Sequence, residues 1–265
     1  MSSLYLHIPF CRKKCLYCDF CSVDYDSALG AEYVDILCRQ TADLQGKFSS
    51  IYIGGGTPSV LGARLLSKLL KALNGKVTPE TEFSVEANPE SLNEDILEVM
   101  RDNGVNRLSI GVQSLNNRKL KNLGRLHDAQ AARQAVSLAQ KKGFENISID
   151  LIYGLWDEDF ETWRQDLKEA VSLPLKHISA YCLTYEKDTP LFKAKEKGEI
   201  KPLDNESAGR MYEYAMDYLE KEGFKQYEVS NFSKDGYSCR HNLNYWDNNE
   251  YLGLGPSAVS YIGGL

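Results

Sequence analysis

The sequence predicts an α/β protein built on a parallel sheet. Short apolar or β-branched runs lie at residues 4–8, 50–53, 82–87, 107–112, 147–152 and 177–183, and stretches of helical period separate them. The links are short, as in repeated strand–helix units whose strands lie parallel. Such crossovers are right-handed, and a series of them can stay an open doubly wound sheet or curl into a partial barrel.

The first run, Leu4-Tyr5-Leu6-His7-Ile8, leads straight into Pro9-Phe10-Cys11. The second ends in Gly54-Gly55-Gly56-Thr57-Pro58 and the third in Val85-Glu86-Ala87-Asn88-Pro89. Ser91-Leu92-Asn93-Glu94 then reads as a capping box, with Ile96, Leu97 and Met100 on one helical face and Gly104 as the stop. The fourth run closes in Gly111-Val112-Gln113-Ser114. Asp128 reads as the N-cap of a helix that presents Ala132, Ala135, Val136 and Ala139 and ends at Gly143. The fifth run carries Asp150, and Phe160, Trp163, Leu167, Ala170 and Val171 mark the helix between it and the sixth. After Thr184 the rhythm breaks. Residues 186–204 read as a polar excursion, followed by a helix with Ala208, Met211, Tyr212, Ala215 and Leu219 on one face. A strand is expected over 225–229, and the tail, 238–265, has no strong period. The chain therefore divides into residues 1–184 and a small α+β extension, 185–265.

A chain of 265 residues is ample for one sizeable core. Its net charge of −6 argues against a generic nucleic-acid surface. No apolar run approaches the ~20 residues that span a bilayer, which leaves only peripheral contact with a membrane. The first strand starts so near Met1 that no leader is expected. Seven cysteines, unevenly spread, do not form the paired framework of a small secreted domain. Reduced thiols in a cytoplasmic protein fit better.

Cys11, Cys15 and Cys18 follow the first strand in one tight loop. Three thiolates so spaced can wrap one corner of a four-iron cluster, which normally takes four cysteines, and leave one iron open. A structural zinc site is the alternative, with Cys21 as fourth ligand, although no second cysteine pair is evident. The glycine turn lets backbone approach a ligand closely, or is simply a tight strand-to-helix turn. Glu86 and Asp150 read singly as solvated strand-end carboxylates. Ligands gather at the carboxyl ends of parallel strands, however, and the cysteine loop, glycine turn, two carboxylates and Gln113 all sit at that end. Cys239-Arg240-His241-Asn242-Leu243-Asn244-Tyr245-Trp246 offers a histidine and two aromatics that could serve a porphyrin, or a hydrogen-bonded loop over packed rings.

The Cys-x3-Cys-x2-Cys spacing resembles the cluster loop of the radical S-adenosylmethionine (SAM) superfamily. His7-Ile8-Pro9-Phe10-Cys11 and Cys18-Asp19-Phe20 resemble its coproporphyrinogen-oxidase-like family, and within it the heme-chaperone branch. The resemblance implies a (β/α)6 partial TIM barrel and a [4Fe–4S] cluster on Cys11, Cys15 and Cys18. It also implies SAM chelated at the open iron, where one electron could cleave it to a 5′-deoxyadenosyl radical. Gly55, Gly56 and Thr57 match the turn that holds the methionyl part of SAM. Tyr5, Gly55 and Glu86 match contacts to the cluster-bound SAM. Tyr17, Gly56, Thr57, Gln113, Arg125 and Asp150 match contacts to a second SAM in the oxidase, where Arg125 could pair a carboxylate. On its own Arg125 reads as an exposed loop arginine. His241-Asn242-x-x-Tyr245-Trp246 matches a signature proposed to bind heme. Two departures favour the chaperone over porphyrinogen oxidation. Phe20 stands where the oxidase has cysteine, and the oxidase's long leading segment has no counterpart here. The implied partners are heme or porphyrin, a recipient hemoprotein and a reductant such as flavodoxin or ferredoxin. Members of the family continue past a tail like this one, so the chain is expected to be truncated.

Overall fold

A computed structural model describes residues 3–264. The chain opens with β1 (Ser3–Ile8), then β2 (Phe10–Cys11) and β3 (Val23–Asp24), a short pair that closes the cysteine loop at its base. Strands and helices then alternate: α1 (Ser27–Asp43), β4 (Ser50–Gly55), α2 (Gly62–Leu73), β5 (Glu82–Ala87), α3 (Glu94–Asp102), β6 (Arg107–Gln113), α4 (Asn117–Asn122), α5 (Ala129–Lys141), β7 (Asn146–Tyr153), α6 (Phe160–Ser172) and β8 (His177–Cys182). The long strands β1, β4, β5, β6, β7 and β8 pair in parallel and in chain order, as the partial barrel requires.

Side-chain alternation explains why this sheet curls around a polar interior. On one parity the strands carry Leu4, Leu6 and Ile8, Ile51 and Ile53, Phe83 and Val85, Leu108 and Ile110, Ile147 and Ile149, and Ile178. All are buried under the helices in one continuous core. On the other parity stand Tyr52, Glu86, Arg107, Ser109, Asp150 and Ser179, which line the concave face. The helices supply the matching apolar surface. Leu65, Leu66, Leu69, Leu70 and Leu73 of α2 recur at helical spacing and are buried. Asp26, Asn93, Asn116, Asp128 and Asp159 cap α1, α3, α4, α5 and α6 by accepting backbone N–H bonds.

Several local expectations are corrected. Ser91 is not the N-cap of α3: it lies in a 3-10 turn, and the Asn93 side chain accepts from Ile96 N instead. Asn93 wins because its short amide reaches three residues on, while Ser91 is engaged with Ser59 (2.6 Å). The polar excursion contains α7 (Pro190–Glu196), capped by Thr189. After α8 (Asn205–Lys221) the strand expected over 225–229 stops early as β9 (Lys225–Gln226), and β10 (Asn231–Ser233) turns back antiparallel between it and β8. The tail holds α9 (Arg240–Trp246) and β11 (Tyr251–Leu254), which pairs in parallel with β1. The strands of the extension thus widen the same sheet at both edges, and α9 crosses beneath the barrel between them.

Glu82 at the foot of β5 anchors that crossing. Its carboxylate accepts from Arg240 N (3.0 Å), His241 N (3.1 Å) and the Cys239 thiol (3.5 Å). Negative charge at a helix N-terminus satisfies otherwise orphaned donors. Glu82→Ala is expected to cost about 1–3 kcal/mol in urea unfolding and to open residues 234–250 to limited proteolysis. Wild-type stability and cleavage would show that α9 is held by its aromatics alone.

Candidate functional site

The cysteine loop is tied down along its length. Val23 N donates to Pro9 O (2.8 Å) and Tyr25 N to Cys11 O (2.9 Å), which closes its base. At the tip, Leu16 N donates to Leu123 O (3.1 Å), Leu191 N donates to Leu16 O (3.0 Å), and the Leu16 side chain packs into a small apolar cluster. Cys11, Cys15 and Cys18 are free, half-buried thiols facing one cavity of ≈ 370 Å³ at the carboxyl end of the barrel. Burial pushes the Cys18 thiol up to about 11 and raises Cys11 as well, so both hold their protons until a metal displaces them. Among the described residues no three His, Cys, Asp or Glu side chains converge on a single metal ion. One zinc at Zn–S ≈ 2.3 Å would draw thiolates to roughly 3.8 Å from one another. A cluster, being larger, is gripped by thiolates standing further apart.

The other strand ends complete the mouth. Gly55 has φ +104°, and a Cβ there would lie 2.5 Å from the His7 ring. A Cβ on Gly56 would meet Phe10 O at 2.6 Å. The turn is therefore glycine because β4 must pass close against β1 and the cysteine loop. Thr57 N donates to Phe10 O (2.7 Å), and Thr57 Oγ1 lies 3.6 Å from Cys11 Sγ. Glu86 accepts from the Tyr52 hydroxyl (2.8 Å) and Gly55 N (3.1 Å). Burial, then the neighbouring Asp150, push its carboxyl up to about 7. Burial raises Asp150 too, against hydrogen bonds from Ser179 and Ser109.

Arg125 is not an exposed loop arginine. Its guanidinium donates to Cys15 Sγ (3.3 Å), the Tyr17 hydroxyl (3.4 Å), Asn88 Oδ1 (2.6 Å) and Gly111 O (2.7 Å). Asn88 in turn donates to Thr57 Oγ1 (2.9 Å). A chain of hydrogen bonds thus runs from Cys11 through Thr57, Asn88 and Arg125 to Cys15. Asn88 was legible only as the residue after Ala87 in the third strand end, with nothing to mark it as a bridge. Arg107 was missed too, although its place on the polar parity of β6 is a signal. It is buried at the floor of the cavity with Nε and Nη1 unpartnered.

The structure brings Cys11, Cys15, Cys18, Tyr17, Gly55 and Gly56 to the mouth together with Thr57, Glu86, Gln113, Arg125 and Asp150. Tyr5 instead lines a second cavity of ≈ 380 Å³ that shares Phe20, Gly55 and Glu86 with the first. His241 lines neither. It is 2% exposed, with Nδ1 on Ser50 Oγ (2.8 Å) and Nε2 on the Tyr245 hydroxyl (3.0 Å). The first turn of α9 lies on Glu82 and so turns this side chain up under the barrel, where the Tyr52 ring stacks on it at 5.1 Å. Burial drives its pKa down to about 3, which keeps the ring neutral.

Three thiols at one side of a glycine-edged mouth, facing carboxylates held at a raised pKa, fit an iron–sulfur cluster with a cationic cofactor. The radical SAM superfamily profile matches residues 5–170, and the chain belongs to that superfamily. Membership implies a [4Fe–4S] cluster and SAM. Within it the chain belongs with the HemW proteins. It is 41% identical to the heme chaperone HemW of Lactococcus lactis over 100% of this chain and 70% of that protein. It is 39% identical to HemW of Escherichia coli K12 over 97% of this chain and 69% of that protein. Among solved structures, coproporphyrinogen III oxidase (HemN) from E. coli superposes with TM-score 0.84 at 26% identity, covering 98% of this chain and 64% of that one. The chain thus spans less than two thirds of the oxidase. Among the described residues no helix is long and apolar enough to cross a membrane.

Proposed function

We propose that this chain is a cytoplasmic heme-handling protein that carries a [4Fe–4S] cluster and SAM in the mouth and heme beside it. The arrangement of Cys11, Cys15 and Cys18 around one cavity with Glu86 and Asp150 carries the first half of the reading. When bound, the cluster would supply an open iron to SAM and an electron drawn from a flavodoxin or ferredoxin. The residues' own work is recognition. Glu86 and Asp150 compensate the positive charge of SAM, and the backbone at Gly55 and Gly56 admits its methionyl end. Tyr17, Thr57 and Gln113 shape the wall, and Arg125 orders Cys15. Tyr5 braces the partition between the two cavities through its contact with His7 (3.1 Å).

The second cavity carries the other half. Tyr5, His7, Phe20, Tyr245, Tyr251 and Val259 line it, and flat aromatic walls suit a macrocycle. Both ring nitrogens of His241 are engaged, so its contribution to heme binding runs through Tyr245. Hemin titration is expected to give a saturable Soret band. Tyr245→Ala should weaken binding roughly tenfold through the lost wall, and His241→Ala should weaken it by a smaller factor. Unchanged affinity in Tyr245→Ala would place heme elsewhere. A shifted band position in His241→Ala would mark that histidine as an iron ligand after rearrangement. The recipient is a hemoprotein. Radical oxidation of coproporphyrinogen is the second reading, favoured by the fit to the oxidase. Phe20 in place of cysteine argues against it, and no protoporphyrinogen is expected from coproporphyrinogen III, SAM and reductant.

A further inference from the structure

We propose that Lys119, Glu158 and Asp166 form a buried clamp that holds Gln113 in a left-handed conformation and so fixes the shape of the SAM-binding mouth. The inference rests on the reading of that mouth given above. Gln113 has φ +65°. Glutamine has no special tolerance for this region, and such strain persists only where surrounding structure over-determines it. Among the described residues Asp188, Asn248 and Ser257 share a positive φ, but all three are exposed turn residues. Gln113 instead ends a core strand, is buried, and lines the cavity. The pairing of β6 with β7 shifts register between Ile110 and Gln113.

What holds it lies just beyond. The Ser114 hydroxyl and Leu115 N both donate to Asp166, at 2.7 and 2.8 Å. Lys119 Nζ donates to the same carboxylate (2.8 Å) and to Glu158 (2.5 Å). Glu158 accepts from Gly154 N (2.8 Å) and Leu155 N (3.1 Å) at the end of β7, where Gly154 has φ +80°. One ammonium therefore joins the irregular ends of two adjacent strands. The side chains of Lys119, Glu158 and Asp166 are 1%, 0% and 2% exposed, and the Trp163 ring covers the ammonium at 5.4 Å. None of the three lines the cavity. An apolar trio of like volume would often be as stable. It could not accept the Ser114 hydroxyl or the Leu115, Gly154 and Leu155 N–H groups. These are positioning residues, acting through Gln113 and Gly154.

The test is a double-mutant cycle on the reconstituted protein, reading Tm, iron content and SAM affinity by equilibrium dialysis. Asp166→Asn is expected to lower Tm and to weaken SAM binding about tenfold with iron content unchanged. Glycine adopts φ > 0 freely and has no strain to release when the clamp is broken, so in the Gln113→Gly background the Tm loss from Asp166→Asn should be larger than in the wild-type background. Additive Tm losses, or wild-type SAM affinity in Asp166→Asn, would overturn the clamp. Should Asp166→Asn not fold, Ser114→Ala removes one bond of the same set and is read against Gln113→Gly in the same way. Should the wild-type protein bind no SAM, the reading of the mouth falls, while the Tm coupling still decides the clamp.

Discussion

Cys15→Ala is expected to empty the site of iron. Anaerobic reconstitution should load about four irons on each wild-type chain and close to none on the variant. Cys15 is the middle cysteine of the loop, and the Arg125 guanidinium donates to its sulfur (3.3 Å). Two remaining thiolates cannot hold a cube against hydrolysis. Cys21→Ala is the matched control. Cys21 is exposed, and it is its backbone carbonyl that the His7 ring contacts (2.7 Å). That contact survives truncation of the side chain, so iron content should remain at the wild-type level. Loss of iron in both variants would make Cys21 a fourth ligand and close the coordination position on which SAM chelation depends. Stoichiometric zinc in the wild-type protein, with no iron taken up, would remove the cluster altogether.

The sequence showed the alternation of strands and helices because its strands are bounded by strong punctuation: Pro9 and the cysteine loop, the glycine turn, Asn88-Pro89, and the Asp128 N-cap; the curl into a partial barrel came from the family resemblance. The three cysteines that line the mouth were visible because their spacing within one loop is local. The terminal elements were hidden for the opposite reason. β11 has only four residues, Tyr251–Leu254, and exists because β1 offers it a free edge. The helix α9 begins where it does because Glu82, far away in sequence, waits at the foot of β5. The place of His241 was illegible for the same reason: local pattern shows a histidine ahead of two aromatics, but only the docking of α9 decides which way the ring turns. Arg125 was misjudged as a lone residue because its four acceptors come from the loop between β2 and β3, the residue after β5, and β6. Period-two alternation was the one unused local signal. Ser3, Tyr5 and His7, then Ser50 and Tyr52, then Glu82, Ser84 and Glu86, repeat polar residues on one parity and announce a polar interior.

Glu86→Gln should stabilise the ligand-free protein near neutral pH while sharply weakening its hold on SAM. The carboxyl is pushed from 4.5 up to about 7, by burial first and by Asp150 second. A carboxyl whose pKa is higher folded than unfolded binds its proton more tightly in the native state. The stability this contributes is fully present below about pH 4.5 and is lost as pH rises through about 7. By about pH 8 the loss amounts to about 3 kcal/mol, the cost of ionising a buried acid beside a second one. Glutamine keeps the shape without that cost: its oxygen can accept from Gly55 N, and its amide can donate to the Tyr52 hydroxyl, which then acts as acceptor. Calorimetry should therefore show a higher Tm for the variant than for the wild-type protein at about pH 8, a difference that shrinks at about pH 5. SAM binding moves the other way. A cationic ligand favours the ionised carboxylate, so the wild-type protein should release a proton on binding near pH 7, and the neutral amide should lower affinity roughly 30-fold. A variant less stable than wild type at about pH 8 would mean that Glu86 is compensated within the protein, by its Tyr52 and Gly55 hydrogen bonds first and Arg107 after them, and is not held in readiness for a cation. Such a trade of folding stability for ligand charge is expected where a buried acid serves recognition, since the group is best satisfied only when its partner arrives.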